Sequence, residues 1–122
     1  MSTSTIRHPT PDEDLGKICE GLQGVAVNPE QAWVVDVDGQ AVATCLVWDA
    51  GHGVAYVGYL EILPSYQHEG YAPMLLEHVR QDLISKGRTR IVAYTSSLRV
   101  AYYLEQAGLC VSTPLFLVEV VA

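Results

Sequence analysis

Two apolar runs, Ala32-Trp33-Val34-Val35-Asp36-Val37 and Ala41-Val42-Ala43-Thr44-Cys45-Leu46-Val47-Trp48, flank the dipeptide Asp38-Gly39. Strand-like runs on either side of Asp-Gly predict a β-hairpin closed by a type I′ turn. A second turn is expected at Ala50-Gly51-His52-Gly53, and Val54 to Leu63 then reads as a long strand interrupted by Gly58. Glycine inside a strand marks a bulge or a close backbone approach. From Ala72 to Lys86 the period changes. Leu75, Leu76, Val79, Leu83 and Ile84 share one face of a helix, while Glu77, Arg80, Gln81 and Lys86 fall largely elsewhere. Pro73 suits the first turn, where its missing N–H is not needed, and Gly87 is placed to close the helix.

The flanks are less patterned. Thr5-Ile6-Arg7-His8 is a candidate first strand, ended by Pro9 and Pro11. Asp12 or Asp14 then caps a short helix through Leu22, a weak one because glycines lie within it, and residues 23–31 form a loop. Beyond the main helix, Arg90 to Tyr94 is a short buried strand. Ser96 or Ser97 caps a second helix through Gln106, stopped by Gly108, and two last strands lie around Cys110-Val111 and Leu115 to Val120. The strand-helix-strand unit 54–94 requires parallel strands and a right-handed crossover, whereas the hairpins are antiparallel. The expected fold is therefore α/β (α+β mixed), one domain over 1–122, with a central mixed, mostly antiparallel sheet of six or seven strands and helices on both faces.

Composition narrows the function. At 122 residues the chain suits one domain with a real core. A formal charge of −7 argues against nucleic acid as a partner, since phosphate neutralisation needs clustered Lys and Arg. The acidity either favours a cationic acceptor such as an amine or simply serves solubility. No apolar run approaches the ~20 residues of a membrane helix, and Met1-Ser2-Thr3-Ser4-Thr5 has no apolar signal-peptide core. The three cysteines, an odd number without CxxC spacing, predict neither a zinc site nor a disulfide framework. Cys45 and Cys110 read as buried thiols, and a reducing cytoplasm fits. His8, His52 and His78 lack metal-ligand spacing, and no GxSxG nucleophile signature is present.

The most informative stretch is Leu60-Glu61-Ile62-Leu63-Pro64-Ser65-Tyr66-Gln67-His68-Glu69-Gly70-Tyr71-Ala72. A strand that feeds a glycine-containing turn at a helix start is a phosphate seat: unpaired N–H groups point outward and the helix dipole adds partial positive charge. The order Gln67-x-x-Gly70-x-Ala72, the preceding strand with Pro64, and Ala101-Tyr102-Tyr103-Leu104-Glu105-Gln106-Ala107-Gly108-Leu109 together resemble the GNAT family of N-acetyltransferases. The resemblance is strong over roughly 54–109 and vague over 1–31, a segment that is short for that family.

The resemblance implies an acyl-CoA N-acyltransferase fold with acetyl-CoA as co-substrate and an amine as acceptor. It implies that the strands 54–63 and 90–95 splay apart, with the pantetheine arm entering the gap against the backbone of Ile62 and Leu63. Phosphate oxygens would take N–H bonds from Gln67, His68, Glu69, Gly70, Tyr71 and Ala72. Ser97 falls near a position that often contacts the pantetheine arm, or else caps the second helix. Where the family commonly has Arg or Lys in the loop, this chain has His68 and Glu69; protonated His68 would offset the repulsion between Glu69 and a pyrophosphate. The family's acid, often a tyrosine, falls at Leu104, so the candidate proton donor is the neighbouring Tyr103, with core or surface packing as its other role. Glu61, three residues before Pro64, is the candidate general base, or a solvent-facing strand residue. Tyr59 would share its face and line an acceptor pocket, and Trp33 and Trp48 either pack in the core or wall that pocket.

Three functions remain open at this level: an acetyl-CoA-dependent N-acetyltransferase acting on a small-molecule or protein amine, a non-catalytic relative that binds acyl-CoA or a protein, and an unrelated α+β domain. A homodimer formed through the apolar strand Leu115 to Val121 is a further expectation.

Overall fold

The computed structural model describes residues 3–94, 110–112 and 117–121. Its strands are β1 (Ser4–Arg7), β2 (Ala32–Val37), β3 (Gln40–Gly51), β4 (Val54–Ile62), β5 (Arg90–Tyr94), β6 (Cys110–Ser112) and β7 (Leu117–Val121), and its α-helix is α1 (Tyr71–Ser85). The strands form one sheet in the order β1-β2-β3-β4-β5-β7-β6. Every pairing is antiparallel except β4 with β5, which α1 connects. The sheet is mixed and mostly antiparallel.

Local chemistry explains the first half. Asp38 (φ 52°) and Gly39 (φ 91°) turn the first hairpin, as a type I′ turn requires, and leave Val37 opposite Gln40. His52 (φ 54°) and Gly53 (φ 78°) repeat the device between β3 and β4. The helix ends in a Schellman arrangement, with Gly87 N–H donating to Ile84 O at 3.0 Å and Arg88 N–H to Leu83 O at 3.0 Å.

Two cores lie on opposite faces of the sheet. On one, Leu75, Leu76, Val79 and Leu83 of α1 pack against Val35, Val37, Ala43, Cys45, Ala55 and Val57. Burying a leucine in this way contributes about 1.5–3 kcal/mol. Trp33 flanks this core, stacked on His8 at 3.9 Å between ring centroids and edge-on to His78 at 4.7 Å. On the other face, Leu15, Cys19 and Leu22 pack on Ala32, Val34 and Leu46. Thr44, a buried polar residue in the sheet, donates its hydroxyl to Trp33 O at 3.1 Å.

Several expectations change. Residues 12–22 do not form an α-helix. They form two 3-10 turns, Leu15–Lys17 and Glu20–Leu22, with Asp14 capping the first through Gly16 N–H at 2.9 Å. Gly16 and Gly21 lower helix propensity, and tight turns suffice to lower Leu15, Cys19 and Leu22 onto the sheet. The second face is thus covered by 3-10 turns, and α1 is the one α-helix among the described residues, so helices on both faces are not found there. The presumed loop 23–31 contains a third such turn, Pro29–Gln31, capped by Asn28. The last strand is not a free edge: β7 lies between β5 and β6, so it cannot pair across a dimer as expected. The second helix, 96–106, falls outside the described residues. No helix among those residues is long and apolar enough to cross a membrane.

The 3-10 segment is tied to the sheet by Arg7. Its guanidinium grips both carboxylate oxygens of Glu13, at 2.8 and 3.0 Å, and its Nε donates to Asp36 at 3.0 Å. These hydrogen bonds from Arg7 hold the Glu13 carboxyl below its ordinary range, against a smaller opposing effect of burial. A lowered carboxylate pKa contributes stability that is present above the ordinary glutamate value of ~4.3 and is lost as pH falls through the lowered one. Glu13→Gln is expected to reduce urea stability at pH 7 by about 1 kcal/mol, the pair being partly solvent-screened. The gap from the parent chain should narrow as the titration is repeated below pH 4. Burial pushes the Cys45 thiol up to about 12. Peptide mass spectrometry should therefore find Cys45 unalkylated by iodoacetamide at pH 8 until urea is added.

Candidate active site

The site begins where β4 and β5 part. Their pairing runs from Val54↔Arg90 to Val57↔Ala93. Tyr94 continues along β7, opposite Leu117, while β4 continues along β3 to Ala43↔Ile62. Among the described residues, Gly58 to Ile62 therefore have a strand on one side only. A bulge lies at this point: the β3–β4 register shifts between Thr44 and Leu46, and Tyr59 takes φ 53°. Gly58 leaves room there for the Trp48 ring, since a Cβ would stand 3.1 Å from its Cζ3. The extra residue reverses the alternation. Ala55 and Val57 face the α1 core, and so do Leu60 and Ile62, while Tyr59 and Glu61 face away from it.

Beyond Ile62 the chain folds back on the strand end. Leu63 N–H donates to Val42 O at 2.8 Å and Tyr66 N–H to Leu63 O at 2.9 Å, so both main-chain groups of Leu63 are engaged within the protein. Gln67 Nε2 donates to Ile62 O at 3.1 Å, which clips the loop to β4. His68 (φ 67°) and Gly70 (φ 86°) then turn the chain into α1. As N-cap, Gly70 offers no side-chain acceptor, and the first backbone bond of the helix is Met74 N–H to Gly70 O at 3.3 Å. The N–H groups of Tyr71 and Ala72 have no acceptor among the described residues. They stand at the positive end of a helix of 15 residues, where N–H groups and the helix dipole can hold an anion. The side chains of His68 and Glu69 are exposed, and the rings of Tyr66 and Tyr71 flank the turn at 6.3 Å between centroids. The side chain of Ala72 is buried in the α1 core.

On the face away from α1, Glu61 is exposed rather than partly buried. It lies near Cys19, whose thiol is raised chiefly by burial, partly offset by a backbone N–H of Gly21 and reinforced by the negative charge of Glu61. Tyr59 is 46% exposed, and its ring rests over Gly21, where a Cβ would come within 3.2 Å of Cε1. Trp48 stands beside it, with ring centroids 5.8 Å apart at 54°. Trp33 packs against the α1 core, and both tryptophans also border one cleft with Val47, Asp82, Leu83 and Lys86. Tyr103 and Ser97 lie outside the described residues. Nothing along the chain signals that Gly21 and Cys19 approach β4, beyond a glycine in a short, weakly helical segment.

The chain belongs to the acetyltransferase (GNAT) family, whose model matches residues 3–108. Solved structures carry the same architecture. Ard1 from Thermoplasma volcanium superimposes with TM-score 0.79 at 12% identity, covering 98% of this chain and 97% of that one. A GNAT family acetyltransferase from Brucella melitensis, in complex with acetyl-CoA, gives 0.72 at 17% identity, over 98% and 88% of the two chains. N-acetylglutamate synthase from Neisseria gonorrhoeae, complexed with coenzyme A and N-acetyl-glutamate, gives 0.74 at 17% identity; the match covers 91% of this chain but spans 29% of that longer protein. At these identities the likeness is one of fold. A search of curated proteins by sequence returns no match.

The left-handed backbone at Gly70 carries its own test. A Cβ there would meet open space, yet the φ of 86° is unfavourable for any L side chain. Gly70→Ala is expected to lower stability by about 1–2 kcal/mol in urea denaturation through the backbone alone. An unchanged midpoint would mean that the turn takes another conformation.

Proposed function

We propose that this protein is an acetyl-CoA-dependent N-acetyltransferase that moves an acetyl group by direct transfer to a primary amine of a small molecule or protein. The observation that carries the reading is the end of β4, paired on one side only among the described residues, which leads into the amides at the N-terminus of α1. An extended amide-bearing arm finds a strand edge there, and a diphosphate finds N–H donors and the helix dipole at the start of α1. Ile62 and the residues before it offer that edge, Leu63 positions the turn, and Gln67, His68, Glu69, Gly70, Tyr71 and Ala72 surround the phosphates. Ser97 is the further contact to the arm that the family resemblance implies.

Acetyl-CoA supplies the acyl group. Glu61, exposed on the other face of the same strand segment, takes the proton as the amine nitrogen bonds to the thioester carbonyl carbon. Tyr103 gives its proton to the departing thiolate as the carbon–sulfur bond breaks. The acceptor amine approaches from the side of the 3-10 turns, opposite α1. A cytoplasmic setting, with reduced thiols, belongs to the same reading.

Calorimetry should show saturable binding of acetyl-CoA, and a free-thiol assay should show release of coenzyme A that depends on an amine. Glu61→Gln and Tyr103→Phe are each expected to lower kcat by about 10²-fold or more while acetyl-CoA still binds. Full turnover in both variants would remove these two roles. A folded sample with no affinity for coenzyme A or its acyl forms would remove the enzymatic reading itself.

A further inference from the structure

Three large apolar side chains are markedly exposed among the described residues, and two of them touch: Trp48 at 37% and Tyr59 at 46%. Their surroundings single them out from scattered surface residues. Tyr59 occupies the left-handed region at φ 53°, a conformation disfavoured for a bulky side chain and characteristic of functional sites. Glycine lies beneath each ring, Gly21 under Tyr59 and Gly58 under Trp48, and a Cβ at either position would crowd the ring within 3.2 Å or less. The rings are inclined at 54°, so together they form an open aromatic corner. Glu61, two residues beyond Tyr59, shares its face and lies on the one-sided end of β4.

We infer that the Trp48–Tyr59 corner selects the acceptor, and that the substrate class is a small primary amine carrying an aromatic ring. The inference rests on the acetyltransferase reading and specifies its second substrate. A flat ring packs edge-to-face or offset against the two exposed ring surfaces, which is how aromatic groups gain more than buried area alone provides. The ammonium group at the other end of such a molecule is drawn to the Glu61 carboxylate, and the charge of −7 on the chain favours its approach. The bulge sets the spacing, because it turns Tyr59 onto the face of Glu61 and away from the α1 core. Tyr59 and Trp48 thus determine specificity, and proton transfer stays with Glu61.

The test compares 2-phenylethylamine with n-hexylamine, first by thiol release with acetyl-CoA and then by quenching of tryptophan fluorescence. The expected result is a kcat/KM at least tenfold higher for 2-phenylethylamine. Trp48→Leu and Tyr59→Gly, the second of which relieves the positive φ, should each bring that ratio down toward one, with thermal denaturation confirming that both variants fold. Quenching by 2-phenylethylamine should disappear in Trp48→Leu. Equal use of the two amines by the parent chain overturns the inference, as does a preference that survives in both variants. Calorimetry with acetyl-CoA separates the two levels. Acetyl-CoA binding with no aromatic preference defeats this inference alone, and absent acetyl-CoA binding defeats the enzymatic reading with it. Quenching by 2-phenylethylamine that is lost in Trp48→Leu, without thiol release, upholds the aromatic corner and overturns catalysis.

Discussion

A parallel pair of strands can share hydrogen bonds only while their registers agree, and β4 breaks that agreement at Gly58 and Tyr59. Up to Val57 the strand is held on both sides. After it, the main chain follows β3 alone, while Tyr94 follows β7. Among the described residues, β4 beyond this bulge therefore has a strand on one side only, within a sheet of seven strands. The extra residue exchanges the two faces of β4, so that Leu60 and Ile62 stay in the core and Tyr59 and Glu61 turn outward.

The two faces then serve different ends. The α1 side supplies the helix start, the turn at His68 and Gly70, and the amides of Tyr71 and Ala72, which have no acceptor among the described residues. Its rigidity comes from the buried row Ala72, Leu75, Leu76, Val79 and Leu83, which fixes the helix axis and hence the direction in which those amides point. The opposite side is built by short 3-10 turns, a less regular cover that leaves Trp48, Tyr59 and Glu61 accessible. Arg7 anchors that cover at Glu13 and Asp36. Gly21 disfavours a continuous helix there, and in the present turn a Cβ at its position would come within 3.2 Å of the Tyr59 ring.

Much of this was legible along the chain. Asp38-Gly39 announced its turn because that dipeptide tolerates two successive positive φ values. The helix was legible from its apolar period, with Pro73 and Gly87 near its ends. Gly58 marked the bulge. The turn with its helix-start amides followed from the order of strand, turn and helix, a local property of the chain. The cover over 12–22 was misread because two glycines and a single turn of apolar spacing suit a 3-10 turn as well as an α-helix, and only contact with Ala32, Val34 and Leu46 decides between them. The last strand was misread because its apolar run looks the same whether it is central or at an edge.

The sequence by itself determined the elements whose causes lie within a few residues: the hairpins, the capped helix and the amide-rich turn, together with membership of the acetyltransferase (GNAT) family. Tertiary structure alone decided what meets across large separations. Tyr59 rests on Gly21, Cys19 lies near Glu61, and β7 inserts between β5 and β6. The reason is physical. Backbone conformation follows from local sterics and hydrogen bonding, whereas the company a side chain keeps depends on how the whole sheet buries its two faces.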